Sequence, residues 1–170
     1  MQSSGMRQVG SNTVAGCGSG DGGAYAEFVQ SVTPGTSYAC SVGAGGYASE
    51  GNLPGGAGGS TSMFGVTAGG GAGGRTDGAR GLPGDVTGAP VGSMVIGGGA
   101  GLDSRASAGD FHVGGNSALG IGGITQAVND SSQRRLPTGY GAGGARQHTT
   151  IAGTAQAGAS GCIILEYMTP

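Results

Sequence analysis

The residue types that could carry out chemistry are few in this sequence and lie far apart. His112 and His148 stand 36 positions from each other without an HxxxH or HExxH context, so a metal site would need ligands gathered from several loops. The nine acidic residues could supply a carboxylate pair for glycoside hydrolysis, but none is set in a catalytic pattern. We read Asp103 and Asp110 as solvated loop residues, and we expect no metal site and no enzymatic activity.

The sequence lacks the residues that phosphate-binding and nucleophile motifs require. A Walker loop needs a lysine to reach the β and γ phosphates, and all seven basic residues here are arginines. Matches to GxGxxG are followed by more glycine or by turn residues, whereas a dinucleotide site needs a helix there. No GxSxG nucleophile elbow occurs. The sequence therefore predicts no catalytic residue and no cofactor.

The three cysteines, Cys17, Cys40 and Cys162, are an odd number without a CxxC pair, which supports neither a disulfide framework nor a zinc site. Two interpretations stay open at this point. All three are small buried apolar residues, or Cys40 and Cys162 form a bridge.

Glycine dominates the composition, with 44 of 170 residues. Each glycine disfavours a helix by about 1 kcal/mol relative to alanine, so the composition argues against helix bundles and doubly wound α/β folds. Collagen is excluded because the period is broken and only 6 residues are proline. The low charge argues against disorder, because disordered chains usually carry a high net charge. Here only 9% of the residues are charged and the net charge is −2.

Charge and hydropathy also restrict the partners. A net charge of −2 lacks the basic footprint of nucleic-acid binding, so we expect no nucleic-acid partner. No stretch approaches the roughly 20 apolar residues of a membrane span, so we expect no membrane insertion. Length and the lack of a linker predict a single glycine-rich domain over 1–170.

Strand signal is concentrated at the chain ends, in about 7–15, 24–42 and 162–167. Residues 24–42 alternate apolar and polar residues around the turn Thr33-Pro34-Gly35, which predicts a β-hairpin. CIILEY at 162–167 is the densest aliphatic run and is predicted to be a central strand.

The residues between these ends, 43–161, are predicted to form glycine-rich loops. Six glycine clusters recur there, and Gly78, Gly81 and Gly84 hold a period of three. A polyglycine II helix has three residues per turn and no internal hydrogen bonds, so bare glycine edges can bond to neighbouring segments. We therefore predict a mainly β fold with irregular glycine-rich loops: a small β-stranded base formed by the chain ends plus polyglycine II-like helices, with almost no α-helix.

The order of these motifs resembles a known family. GGAYAEFVQSVTPGTSYACSVGAGG is followed by GGAGGSTSMFGVTAGGGAGG, a variable region, GYGAGG and finally GASGCIILEY. This order is similar to the glycine-rich C-terminal domain of bacteriophage tail fibres and receptor-binding tail-tip proteins, with matches from about Val14 to Tyr167. The resemblance implies a β-stranded base with projecting glycine-rich loops, located in the virion after synthesis in the host cytoplasm.

Exposed loops on a scaffold are where binding function concentrates, and the chain's charged residues lie mostly between the glycine clusters. The candidate contacts with a receptor or partner are Arg75, Asp77, Arg80, Arg105, Phe111, His112, Arg134 and Arg135.

The resemblance leads us to expect a non-enzymatic attachment protein. The expected partners are other virion tail proteins and a bacterial surface glycan or outer-membrane protein, and a homo-oligomer is expected, with a trimer favoured. A structural virion component, such as a fibre adaptor, collar or capsid decoration, is the alternative. An ice-binding or extracellular structural protein is a remote alternative.

Overall fold

The computed structural model describes residues 19–48, 53–75, 81–102, 111–126, 134–145 and 155–167. These residues form short strands and no helix, as the glycine content predicts. The strands are β1 (Tyr25–Glu27), β2 (Cys40–Ser41), β3 (Thr61–Met63), β4 (Val66–Ala68), β5 (Val86–Thr87), β6 (Met94–Ile96), β7 (Phe111–Val113), β8 (Gly120–Ile121), β9 (Ile124–Gln126) and β10 (Thr138–Gly139).

The strands pair antiparallel in four small sheets. One sheet has the order β2-β3-β4-β5, and the other three are the pairs β1-β6, β7-β9 and β8-β10. The tightest hairpin joins β3 to β4 through Phe64 and Gly65, whose φ angles are 54° and 81°. Positive φ at both central residues is the requirement of a type I′ turn, which matches the twist of the two strands it joins.

The predicted hairpin over residues 24–42 is only partly correct. The turn forms, with Gly35 at φ 80° and the N–H of Thr36 donating to the carbonyl of Thr33 at 3.2 Å. The strands on either side do not pair with each other, because β1 pairs with β6 and β2 pairs with β3. Alternation of side chains fixes which face is buried, but it does not choose the strand's partner.

The prediction of a central strand at 162–167 is wrong. No strand is present there, and Ile164 and Tyr167 are 67% and 79% exposed. β-propensity measures how well a side chain fits a paired, half-buried surface, and among the described residues no strand pairs with this run. The predicted strand at 7–15 lies outside the described residues.

Six glycine-rich segments form a closed ring through backbone hydrogen bonds. Each bonds to the next in the ring through donors three residues apart; for example, the N–H groups of Asp21 and Ala24 donate to the carbonyls of Ala72 and Gly69, both at 2.9 Å. Neighbours run antiparallel, because the acceptor number falls as the donor number rises. In ring order the segments are 19–24, 69–74, 55–59, 43–47, 155–161 and 141–145.

Successive residues of one ring segment bond in different directions. The N–H groups of Gly20, Asp21 and Gly22 donate to Gly144, Ala72 and Gly99, which lie in three different segments. Further segments at 81–85, 97–102, 113–116 and 121–124 pack against the outside of the ring through bonds of the same kind, such as Gly84 N–H to the carbonyl of Gly22. Backbone bonding in three directions thus ties each segment to several others.

Apolar side chains contribute little to the interior. The buried apolar residues among those described are Val66, Ala142 and Ala145. Glycine permits the close approach of backbones instead: a Cβ on Gly43 or Gly71 would overlap the carbonyl oxygen of Gly59 or Asp21. Packed backbones therefore take the place of a side-chain core.

Candidate functional site

The chain reverses direction from each segment to the next, so its connections gather at two ends of the molecule. One end, which we call the hairpin end, carries the turns near Gly35, Gly65, Gly92 and Gly139 together with the C-terminal run 162–167. The opposite end, the loop end, holds Ser19 and the described residues that flank five connections. These connections are centred on 49–52, 76–80, 103–110, 127–133 and 146–154.

This topology brings the described arginines among the predicted contacts to one end. Arg75 closes the 69–74 segment at the loop end and is exposed. Arg134 and Arg135 are exposed there as well, and the backbone of Arg135 exchanges hydrogen bonds of 2.9 and 2.8 Å with Ile124. Asp77, Arg80 and Arg105 lie outside the described residues, within connections whose flanking residues sit at the loop end.

His112 is not a surface contact, contrary to the sequence prediction. It lies in β7 opposite Thr125 of β9 and is 1% exposed. The alternation of a strand places neighbouring residues on opposite faces, and His112 takes the inward position. Phe111, the adjacent predicted contact, begins the same strand. The burial of His112 removes it from the candidate surface contacts.

Charge is divided unequally between the two ends. Among the described residues, Arg75, Arg134 and Arg135 lie exposed at the loop end. The described residues of the hairpin end include Glu27, Asp85 and Glu166 and no basic residue. Among the described exposed side chains, positive charge therefore lies at the loop end and negative charge at the hairpin end.

The hairpin end is apolar and aromatic. Phe64 stands edge-on to Phe28, with ring centroids 6.3 Å apart, and packs at 5.0 Å against Tyr38. Val29 is 84% exposed on the same end, which also carries the exposed C-terminal run. Exposed apolar surface of this kind marks contact with other molecules more often than chance.

A small acidic cluster accompanies this apolar surface. The hydroxyl of Tyr25 donates to the Glu27 carboxylate at 2.9 Å, and this bond is the main cause of a raised Tyr25 pKa. Desolvation raises that pKa further, and the charges of Glu27, Cys162 and Glu166 raise it by smaller amounts. Burial alone raises the pKa of the Cys162 thiol.

Cys40 and Cys162 are free thiols, so the bridge considered from the sequence is not formed. The reason is their register. The N–H groups of Gly158 and Gly161 donate to the carbonyls of Gly46 and Gly43, and this spacing places Cys162 level with Val42 instead of Cys40. Cys40 is exposed, which also corrects the expectation that it is buried; Cys162 is half-buried, and Cys17 lies outside the described residues.

The described residues hold neither a metal-binding cluster nor a membrane-spanning helix. They contain no group of three or more histidine, cysteine or acidic side chains that could hold a metal ion. Within the same part of the chain, no helix is long and apolar enough to cross a bilayer.

Comparison of the chain with protein-family models gave no match, and comparison with curated protein sequences gave none either.

Sequence reasoning missed the aromatic surface of the hairpin end. Phe28, Tyr38 and Phe64 are separated by ten or more positions, and only the fold brings their rings together. One local signal was available: Met63-Phe64-Gly65-Val66 has a residue pair flanked by apolar residues, with glycine at the second turn position, as in a two-residue hairpin.

Proposed function

We propose that the chain is a phage tail-fibre or tail-tip protein of the virion, without enzymatic activity, that attaches to a host-surface receptor through its loop end. The observation that carries this proposal is the exposure of Arg75, Arg134 and Arg135 at one end of a scaffold held by backbone hydrogen bonds. A scaffold of this kind presents variable loops without depending on their sequences.

The scaffold itself is proposed to be a bundle of polyglycine II helices. Three features support the assignment: donors spaced three residues apart, bonds in three directions from one segment, and glycine where a Cβ would overlap a neighbouring carbonyl. A helix with three residues per turn directs successive N–H groups about 120° apart. Each segment can then bond to several neighbours, which a pleated strand in a sheet cannot do.

The chemistry of the loop end suits an anionic surface glycan. Guanidinium groups pair with phosphate and carboxylate through two parallel hydrogen bonds, and surface glycans of bacteria carry both groups. Arg134 and Arg135 are exposed and adjacent at this end. Arg75 is also exposed at the loop end.

The hairpin end is proposed to contact other virion proteins, including further copies of the chain in a homotrimer. Its exposed aromatic and aliphatic side chains favour a protein partner over a hydrated glycan. The same surface supports the second candidate function, a structural virion component such as a fibre adaptor. In that case the loop end also meets viral protein.

The test is binding of the purified, fluorescently labelled chain to a panel of bacterial cells, with phage adsorption measured in its presence. Attachment to the cells of a susceptible strain, together with competition against adsorption, supports the receptor role. Incorporation into particles without binding to any cell on which the phage grows assigns the structural role instead.

A further inference from the structure

We infer that the hairpin end binds an extended peptide segment of another protein, in which basic residues alternate with apolar ones, and that this segment adds as a strand to residues 162–167. The inference deepens the proposed role of this end as the surface for other virion proteins, and it rests on that role. The binding site is the hairpin-end part of a cavity of about 1900 Å³. We call this part the hairpin groove; its wall is formed by residues 25–34, 61–64 and 162–167.

The backbone of 162–167 is left without hydrogen bonds. Within the part of the chain that the structure describes, none of its N–H or carbonyl groups has a partner. The run has neither a turn nor a bend, and residues 164–167 are exposed. An extended backbone with open donors and acceptors is an edge to which a further strand can add through main-chain hydrogen bonds.

The bonds that close the ring stop one step before this run. The last of them joins the N–H of Gly161 to the carbonyl of Gly43, and donors in the ring recur every third residue. The next donor in the series is Ile164, opposite Cys40, and between these two described residues the bond is not formed. Residues 162–167 therefore keep the β-branched and aliphatic side chains of a strand without a strand beside them.

The side chains of the groove favour an apolar ligand. Val29, Ile164 and Leu165 line it and are 84%, 67% and 50% exposed. The rings of Phe28 and Phe64 stand edge-on to each other on the same wall. The alternating side chains of an added strand cover this surface, whereas a hydrated glycan leaves it wet. A lipid chain also covers it, but a lipid chain has no groups that bond to the open backbone of 162–167.

Charge distinguishes another protein from a second copy of this chain. Glu27 and Glu166 line the groove, and none of its described lining residues is basic. The described hairpin end of a second copy would bring the same two carboxylates to the contact, and like charges oppose association. Lysine or arginine in the incoming segment pairs with these carboxylates instead. Complementary charge therefore favours a segment that is basic as well as apolar.

The length of the open edge sets the size of the ligand. The six residues of 162–167 span about 20 Å at about 3.3 Å per residue, so they pair with about six residues of an extended segment. A peptide of about eight residues covers this edge with a residue to spare at each end.

Binding of two synthetic peptides to the purified full chain, measured by fluorescence anisotropy, tests the charge preference. One peptide alternates lysine with valine, and the other alternates glutamate with valine. We expect the lysine peptide to bind at least about tenfold more tightly. Glu27→Lys with Glu166→Lys should reverse that preference. Asp85→Lys is the matched control and should keep it, because Asp85 is an exposed acidic residue of the same end that lies outside the groove.

Proline substitutions test strand addition separately from charge. Neighbouring residues of a strand direct their N–H groups to opposite edges, so either Ile164→Pro or Leu165→Pro removes a donor that faces the peptide. That variant is expected to bind the lysine peptide at least about tenfold more weakly. Its unfolding midpoint should be unchanged, because the run makes no backbone hydrogen bond within the described chain.

The outcomes separate the possible occupants. Equal affinity for the two peptides overturns the inference, as does parent-like binding by both proline variants. Self-association of the chain that a proline variant abolishes, measured by sedimentation velocity, assigns the groove to a second copy and also overturns it. No cells take part in these measurements, so their failure is distinct from a failure of attachment through the loop end.

Discussion

The Asp21 carboxylate accepts a hydrogen bond of 2.8 Å from the backbone N–H of Gly101, a residue 80 positions later in the chain. Asp21 is 6% exposed, and its own N–H donates to the carbonyl of Ala72. One buried side chain thus fastens 97–102 to 19–24, while the backbone of the same residue fastens 69–74.

Replacing this carboxylate should lower the stability of the scaffold. Asp21→Ala leaves the buried N–H of Gly101 without its acceptor, so we expect a loss of about 1–3 kcal/mol in the free energy of unfolding. Asp21→Asn retains an acceptor oxygen and should lose less. Chemical denaturation measures both. Equal stability of Asp21→Ala and the parent would show that this bond contributes nothing.

Glycine at position 71 should be essential. A Cβ there would overlap the backbone carbonyl of Asp21, so Gly71→Val forces two ring segments apart. Overpacking typically lowers the free energy of unfolding by about 1–3 kcal/mol. We expect Gly71→Val to cost about 3 kcal/mol or more, because the backbone that the new side chain meets cannot rotate away. Gly97→Ala, at a position with room for a Cβ, is the control and should stay within about 0.5 kcal/mol of the parent. Thermal unfolding and protease resistance measure the difference; similar behaviour of the two variants would contradict close backbone packing.

The left-handed conformation of Phe64 allows strain and packing to be separated. Phe64→Ala and Phe64→Gly both remove the ring contacts with Phe28 and Tyr38. Glycine adopts φ 54° without a Cβ penalty, so Phe64→Gly should be more stable than Phe64→Ala by about 1 kcal/mol. Urea denaturation of the pair measures this gap. The reverse order would mean that the turn is not held in this conformation.

Alkylation should distinguish the two described thiols. Burial raises the pKa of Cys162, so less of it is thiolate at pH 8 than in an unfolded chain, and its reaction with iodoacetamide should be slower in the folded protein. The rate should increase as the pH rises towards that pKa. Cys40 is exposed and should be modified without unfolding. Peptide-resolved mass spectrometry reports both sites, and equally fast reaction of Cys162 in folded and unfolded chains would contradict its burial.

The fold class followed from composition because the helix cost of glycine acts at every position, whatever the tertiary context. The pairing of the strands could not be predicted from the sequence. The run 162–167 has high β-propensity, yet Ile164 and Tyr167 are exposed, since propensity cannot supply a partner strand. His112 shows the same limit for the site: sequence placed it near the arginine-bearing loops, but the face that it occupies depends on pairing with Thr125.

The gathering of arginines at one end was also beyond the sequence. Arg75 and Arg134 are 59 positions apart and share an end only because the chain reverses at every segment. Local patterns report periodicity and turns, whereas the number of reversals between two residues decides which end each one reaches.

Binding of the proposed loop end to the bacterial surface can be tested with two pairs of substitutions. Arg134→Glu with Arg135→Glu reverses charge at the loop end, and Ile164→Ser with Tyr167→Ser alters exposed residues of the hairpin end. Binding of each labelled chain to susceptible cells is measured beside its unfolding midpoint. We predict that the arginine variant loses at least about tenfold in cell binding with an unchanged midpoint, while the hairpin-end variant binds like the parent. Undiminished binding by the arginine variant would contradict attachment through the loop end.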